Sequence, residues 1–112
     1  MENSKFQILR GENKQYYFRL RTGRGDIILQ SEGYNVRAGA EKGIDIVRIS
    51  VCHNDRFRRK MSADGKYYFE ILTIDGDILG TSKLYESLQG CDNGIFAVKD
   101  LVPKAVIENS GM

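Results

Sequence analysis

The chain has 112 residues, enough for one ordinary domain, and its 41% apolar and 29% charged residues exclude an intrinsically disordered chain. A formal net charge of +2 is too small to announce a nucleic-acid partner, although residues 1–56 carry ten Lys and Arg against seven Asp and Glu and residues 57–112 seven against eight. No apolar run reaches the roughly 18 residues of a membrane span, and Met1-Glu2-Asn3-Ser4-Lys5 opens without an apolar signal core. With two cysteines and no secretory signal, the expectation is a cytoplasmic protein with reduced thiols and no membrane partner.

An internal repeat organises everything else. A shift of 51 residues lays Phe6 on Phe57, Tyr16-Tyr17-Phe18 on Tyr67-Tyr68-Phe69, and Gly25-Asp26-Ile27 on Gly76-Asp77-Ile78. Ser31, Tyr34, Gly39, Gly43, Ile44 and Val47 fall on Ser82, Tyr85, Gly90, Gly94, Ile95 and Val98, and positions 6–49 hold 14 identities without a gap. One domain, 1–112, is expected, with repeat one over 5–55 and repeat two over 56–108.

Each repeat opens on a short run, Phe6 to Leu9 or Phe57 to Met61, and then turns at Glu12-Asn13-Lys14 or Asp64-Gly65. Asp-Gly between strand-like runs predicts a two-residue hairpin with positive φ at both central residues. The second run alternates, with Tyr16, Phe18 and Leu20 on one face and Tyr17, Arg19 and Arg21 on the other; Tyr67, Phe69 and Ile71 repeat the inner set. A turn at Gly23-Arg24-Gly25 or Asp75-Gly76 leads into a third run, Asp26 to Ser31 or Asp77 to Ser82.

After Tyr34 and Tyr85 the period changes. Val36, Ala40, Gly43, Ile44 and Val47 share one face of a helix. Asn35 is the expected cap of the first helix and Ser87 of the second, and Pro103 stops the second. Val106-Ile107 has the composition of a last short strand. Strands joined by tight turns are antiparallel, and one helix covers one face. The predicted fold is therefore α+β: two tandem βββα repeats forming one antiparallel sheet of about six strands, with both helices on one face. Holding both units already, the chain is expected to be a monomer with internal pseudo-two-fold symmetry.

Ile27-Ile28-Leu29-Gln30-Ser31-Glu32-Gly33-Tyr34, followed by Ala38-Gly39-Ala40-Glu41-Lys42-Gly43-Ile44, resembles the YegP-like family of small bacterial proteins. Ile78-Leu79-Gly80-Thr81-Ser82 and Asn93-Gly94-Ile95 carry the resemblance into the second half, so that it spans roughly residues 5–108. It implies an α+β fold in which tandem repeats, or paired single-repeat subunits, build one antiparallel sheet. It supplies no catalytic residue. The second half departs from the pattern at Leu84 and over Leu88-Gln89-Gly90-Cys91-Asp92.

The chemistry-bearing residues do not assemble into a catalytic, cofactor or metal set. Cys52 and His53 are sequence neighbours, whose side chains point apart. Cys91 repeats Ala40 on the buried helix stripe and reads as a small core residue. Asp75-Gly76-Asp77 lacks the distal ligands of a calcium loop, and its counterpart Arg24-Gly25-Asp26 reduces both to turn chemistry. Gly23-x-Gly25 opens a strand, not the helix that a phosphate-cradling loop requires. Two distant cysteines and one histidine fall short of a zinc site.

Two features remain. Gly39 and Gly43, with Gly90 and Gly94, sit inside helices, where each costs about 1 kcal/mol relative to alanine; close packing at the helix face is the expected return, and a docking groove the alternative. The outer sheet face is the second: Tyr17, Arg19, Arg21 and Tyr68 would be displayed together, as base stacking and phosphate contacts require, with Arg56, Arg58, Arg59 and Lys60 nearby. A solvated face, with Glu70 opposing an arginine, is the plainer reading. The sequence thus favours a small non-enzymatic interaction module binding a protein partner through a helix groove or sheet edge, with single-stranded nucleic-acid binding on the outer face as the alternative.

Overall fold

A computed structural model describes residues 3–108. In chain order it consists of β1 (Lys5–Arg10), β2 (Tyr16–Arg21), β3 (Ile27–Ser31) and α1 (Arg37–Ser50), then a 3-10 turn (Asn54–Arg56). The second half follows with β4 (Phe57–Met61), β5 (Tyr67–Leu72), β6 (Ile78–Ser82), α2 (Leu88–Leu101) and β7 (Val106–Glu108). This is the α+β architecture of two βββα halves sharing one sheet. Two details of the expectation are corrected. The sheet has seven strands in the order β4-β5-β6-β3-β2-β1-β7, and it is mixed, because β7 runs parallel to β1.

The two halves meet at β3 and β6. Gln30 faces Thr81, flanked by the pairs Leu29–Ser82 and Ser31–Gly80. Since the repeat maps 29, 30 and 31 onto 80, 81 and 82, each half offers the other the same strand in the same register, the intrachain version of a two-fold interface.

All four β-hairpins have one construction. The amides of Gly11, Thr22, Ser62 and Thr73 donate to the carbonyls of Gln15, Asp26, Lys66 and Asp77 at 2.7–2.9 Å. The residue before the last in each loop (Lys14, Gly25, Gly65, Gly76) has φ between +65° and +99°. The expected two-residue turn at Asp64-Gly65 is therefore corrected: only Gly65 has positive φ, and a type I turn from Ser62 is closed by that left-handed residue. Ser62 decides the register, since its hydroxyl also accepts from the Lys66 amide at 3.0 Å.

At the helix starts the halves differ. Ser87 caps α2, its hydroxyl accepting from the Gly90 amide at 3.0 Å. Asn35 does not cap α1. Val36 holds that position without a side-chain bond, because the Asn35 amide oxygen is turned to Gln15 Nε2 at 3.4 Å. The apolar stripe is buried from Ala40 through Gly43, Ile44 and Val47, and again at Cys91, Gly94, Ile95 and Val98; only Val36 stays exposed.

The helices pack on the face that carries Phe6, Phe18, Leu20, Phe69 and Ile71, all fully buried. α1 lies over β1 and β2 and reaches β5 and β6, while α2 lies over β5 and reaches β3. The ladder slips by one residue after Leu20 and after Ile71, so that Ile28 and Leu79 are extra residues on their strands, and both are buried in the core.

Candidate functional site

Directly opposed residues in neighbouring strands share a face. The registers therefore draw one row across the outer face: Glu108, Gln7, Arg19, Gln30, Thr81, Glu70 and Arg58. Toward β7 the row is stitched by side chains, Arg19 Nε donating to Gln7 Oε1 at 2.9 Å and Gln7 Nε2 to Glu108 Oε1 at 3.1 Å. Toward β4, Arg58 donates through Nε and a terminal nitrogen to Glu70 Oε1 at 2.9 and 2.7 Å. Glu70 is buried by this contact, and Arg58 is the arginine that opposes it.

The four residues proposed for a ligand face do not form one patch. Tyr17 and Tyr68 each lie two residues from the row, on opposite sides of it and three strand spacings apart, a diagonal of about 20 Å. Tyr17 is half-buried, covers Gly11 and accepts from Asn13 Nδ2 at 2.7 Å. Tyr68 is half-buried beside Lys60, its partner in the ladder. Arg19 is engaged by Gln7, and Arg21 is exposed opposite Lys5.

On the other face, the glycine stripes are met by tyrosines of their own repeats. Tyr34 stacks on Phe18 with ring centroids 6.2 Å apart, and Tyr85 on Phe69 at 6.4 Å. A Cβ on Gly43 would come within 2.8 Å of Tyr34 Cζ and 2.9 Å of Phe18 Cε2. One on Gly94 would meet Tyr85 Cζ at 2.5 Å, and one on Gly39 would meet Tyr34 Cδ1 at 3.2 Å. Gly90 has room, its nearest neighbour being Ser87 Oγ at 3.4 Å. Burial raises the pKa of both tyrosines, with the Glu32 carboxylate adding to the effect at Tyr34 and Cys91 at Tyr85. The space that an external partner would need along these helices is filled from within.

The two outer strands are treated differently. β1 has its outer edge covered by β7, with Lys5, Phe6 and Gln7 facing Val106, Ile107 and Glu108. β4, its repeat equivalent, ends the sheet. The Ser62–Lys66 bond makes Lys60 and Arg58 the hydrogen-bonded positions of the β4–β5 ladder, so the amides and carbonyls of Arg59 and Met61 point off the sheet. Phe57 is half satisfied, as its amide donates to the carbonyl of Asn54. The side chains differ too. Phe6 and Ile8 are buried, whereas Phe57 is half-buried and Arg59 is exposed, reaching Asp92 of α2 at 2.6 Å. Met61 is 61% exposed. The sequence signal of this edge was the run Arg58-Arg59-Lys60, which fills the outer face of β4 with charge and sets Arg59 between Phe57 and Met61 on the helix side.

The remaining candidates carry no chemistry together. Cys52 is exposed, its thiol donating to the Arg48 carbonyl, and His53 starts the 3-10 turn. Cys91 is buried, and burial pushes its thiol pKa up, away from a reactive thiolate. Among the described residues no group of three or more His, Cys, Asp or Glu could hold a metal, and no helix is long and apolar enough to cross a membrane.

A family model, "Domain of unknown function (DUF1508)", matches the chain twice, over residues 12–51 and 62–109. A UPF0339 protein named YegP from Shigella flexneri is 36% identical over 84% of this chain and 86% of its own length. A UPF0339 protein of Bordetella pertussis is 36% identical over 91% of this chain and 92% of its own. The solution NMR structure of YegP from E. coli, described as a protein of unknown function, superposes with a TM-score of 0.88 at 32% identity, covering 100% of this chain and 97% of that one. A UPF0339 protein of Shewanella oneidensis gives 0.87 at 30% identity, covering 95% of this chain and 90% of that one.

Proposed function

The chain belongs to the DUF1508 family, and we propose that it is a non-enzymatic interaction module that binds a protein partner along the open edge of β4. The contrast between the two edges supports this reading. A sheet edge presents unpaired amides and carbonyls, and an extended segment that pairs with them gains main-chain hydrogen bonds whatever its sequence. On β1 the molecule already seats such a segment, β7, while β4 carries five residues with no strand on their outer side among the described residues. β7, at the other end of the sheet, spans Val106–Glu108 among the described residues. No acid, base and nucleophile converge among the described residues, which supports a binding role over a chemical one. Base stacking gains less support, since Tyr17 and Tyr68 stand far apart and Arg19 and Glu70 are engaged by neighbours.

The test is capture from native extract with the wild-type chain, Arg59→Ala and Arg59→Pro, each with and without nuclease. Proline removes an amide that points to solvent, which an edge strand tolerates; alanine keeps that amide. Proteins retained by the wild type and by Arg59→Ala, lost with Arg59→Pro and indifferent to nuclease, with cross-links on β4, are expected. Equal retention by Arg59→Pro, or recovery that nuclease abolishes, would contradict the reading.

A further inference from the structure

The outer-face row gives the open edge a chemical preference. At one end stands Glu108, brought there by the added strand β7 and accepting from Gln7. At the other end stands Arg58, with no strand beyond it among the described residues. Arg58 gives two of its donors to a single oxygen of Glu70, and its side chain is 47% exposed. Arg59 spends only Nε on Asp92, and the exposed Lys60 forms no ion pair among the described residues. Three cationic side chains with spare donors thus line the edge whose backbone groups are open.

Resting on the edge reading of β4, we propose that the segment this edge takes is an acidic extended one, which pairs with the backbone of Arg59 and Met61 and sets a carboxylate opposite Arg58 as the eighth member of the row. β7 supplies the internal precedent, an added strand whose glutamate completes the same row at the far side. Alternate residues of the segment turn to the helix side, where exposed Met61 offers apolar surface. A second copy of this chain fits poorly, because antiparallel β4 strands would bring Arg58, Arg59 and Lys60 against the same three residues, and like charges directly opposed are destabilising.

The test uses the full ¹⁵N-labelled chain and three ten-residue peptides alternating valine with glutamate, glutamine or lysine, at 50 and 200 mM salt. The glutamate peptide is expected to bind, to shift resonances over 57–61 and to slow exchange of the Arg59 and Met61 amides. The lysine peptide is expected not to bind, and Arg58→Glu, which sets like charges opposite each other, should weaken the glutamate peptide roughly tenfold. If the glutamine or lysine peptide protects these amides as well as the glutamate peptide does, the edge reading survives and the acidic preference falls. If no peptide protects them, or the glutamate peptide binds elsewhere, both readings fall. Concentration-dependent sedimentation of the chain alone, abolished by Arg59→Pro, would give the edge to a second copy and overturn the proposal.

Discussion

β1 and β4 occupy the same place in their repeats and have opposite surroundings. β1 is roofed by α1 and flanked by β7, and it carries Phe6 and Ile8 into the core. β4 has Arg58, Arg59 and Lys60 where β1 has Gln7, Ile8 and Leu9. The interior joint is shared: Arg48 lies over the Phe6 ring at 5.4 Å and Lys99 over the Phe57 ring at 5.4 Å, and each helix receives a tyrosine against a glycine. Duplication kept what the core demands and let the rim diverge, so function is best sought where equivalent positions differ.

The largest expected effect tests whether β1 is core and β4 is rim. Phe6→Ala empties a fully buried site and should cost about 3–5 kcal/mol, whereas Phe57→Ala, at a half-buried site, should cost about half as much or less. Equal losses in denaturant unfolding would erase the distinction.

Next comes the shared joint. Gly43→Leu and Gly94→Leu both drive a side chain into a stacked tyrosine and should each cost about 1–3 kcal/mol, while a leucine at Gly90, where there is room, should cost less and can gain up to about 1 kcal/mol from lost glycine flexibility. A raised melting temperature for either of the first two variants would mean that the glycines are not packing positions.

A smaller effect is pH-dependent and should again be common to the halves. Tyr34 and Tyr85 have folded pKa values raised above the ordinary 10.0, so the folded state holds their protons more tightly than the unfolded chain. Their contribution is fully present below that value and is lost as pH rises through the higher folded pKa. Melting temperature should fall on the alkaline side, and the double variant Tyr34→Phe, Tyr85→Phe should flatten that limb; an unchanged profile would contradict the burial of these hydroxyls.

Much of this was legible in the sequence because it is written locally and twice. The 51-residue shift, the alternation at Tyr16, Phe18 and Leu20, and the helix stripe from Ala40 to Val47 each follow from neighbours within one repeat. What escaped depends on tertiary seats. Val106-Ile107 was legible as a short strand, but its parallel seat beside β1, which makes the sheet mixed, exists only because the assembled fold gives β1 an open edge to receive it. Asn35 has the right chemistry for a cap, but Gln15, brought beside it by the β2 start, takes its oxygen. The outer-face residues were placed on the correct side of β2 and β5, yet pairing sends Tyr17 and Tyr68 to opposite sides of the row, which no single-strand pattern reveals. Arg58-Arg59-Lys60 was visible as a charge run; that it lies along an unpaired backbone follows only from the strand order.

Residue-resolved amide hydrogen exchange on the unliganded chain tests the difference between the edges most directly. The amide of Phe6 faces β7 and should exchange slowly, whereas those of Arg59 and Met61, at the end of the sheet, should exchange at rates close to those of an unfolded chain. Protection of Arg59 and Met61 comparable to that of Phe6 would mean that the β4 edge is already occupied, and the proposed binding surface would not exist.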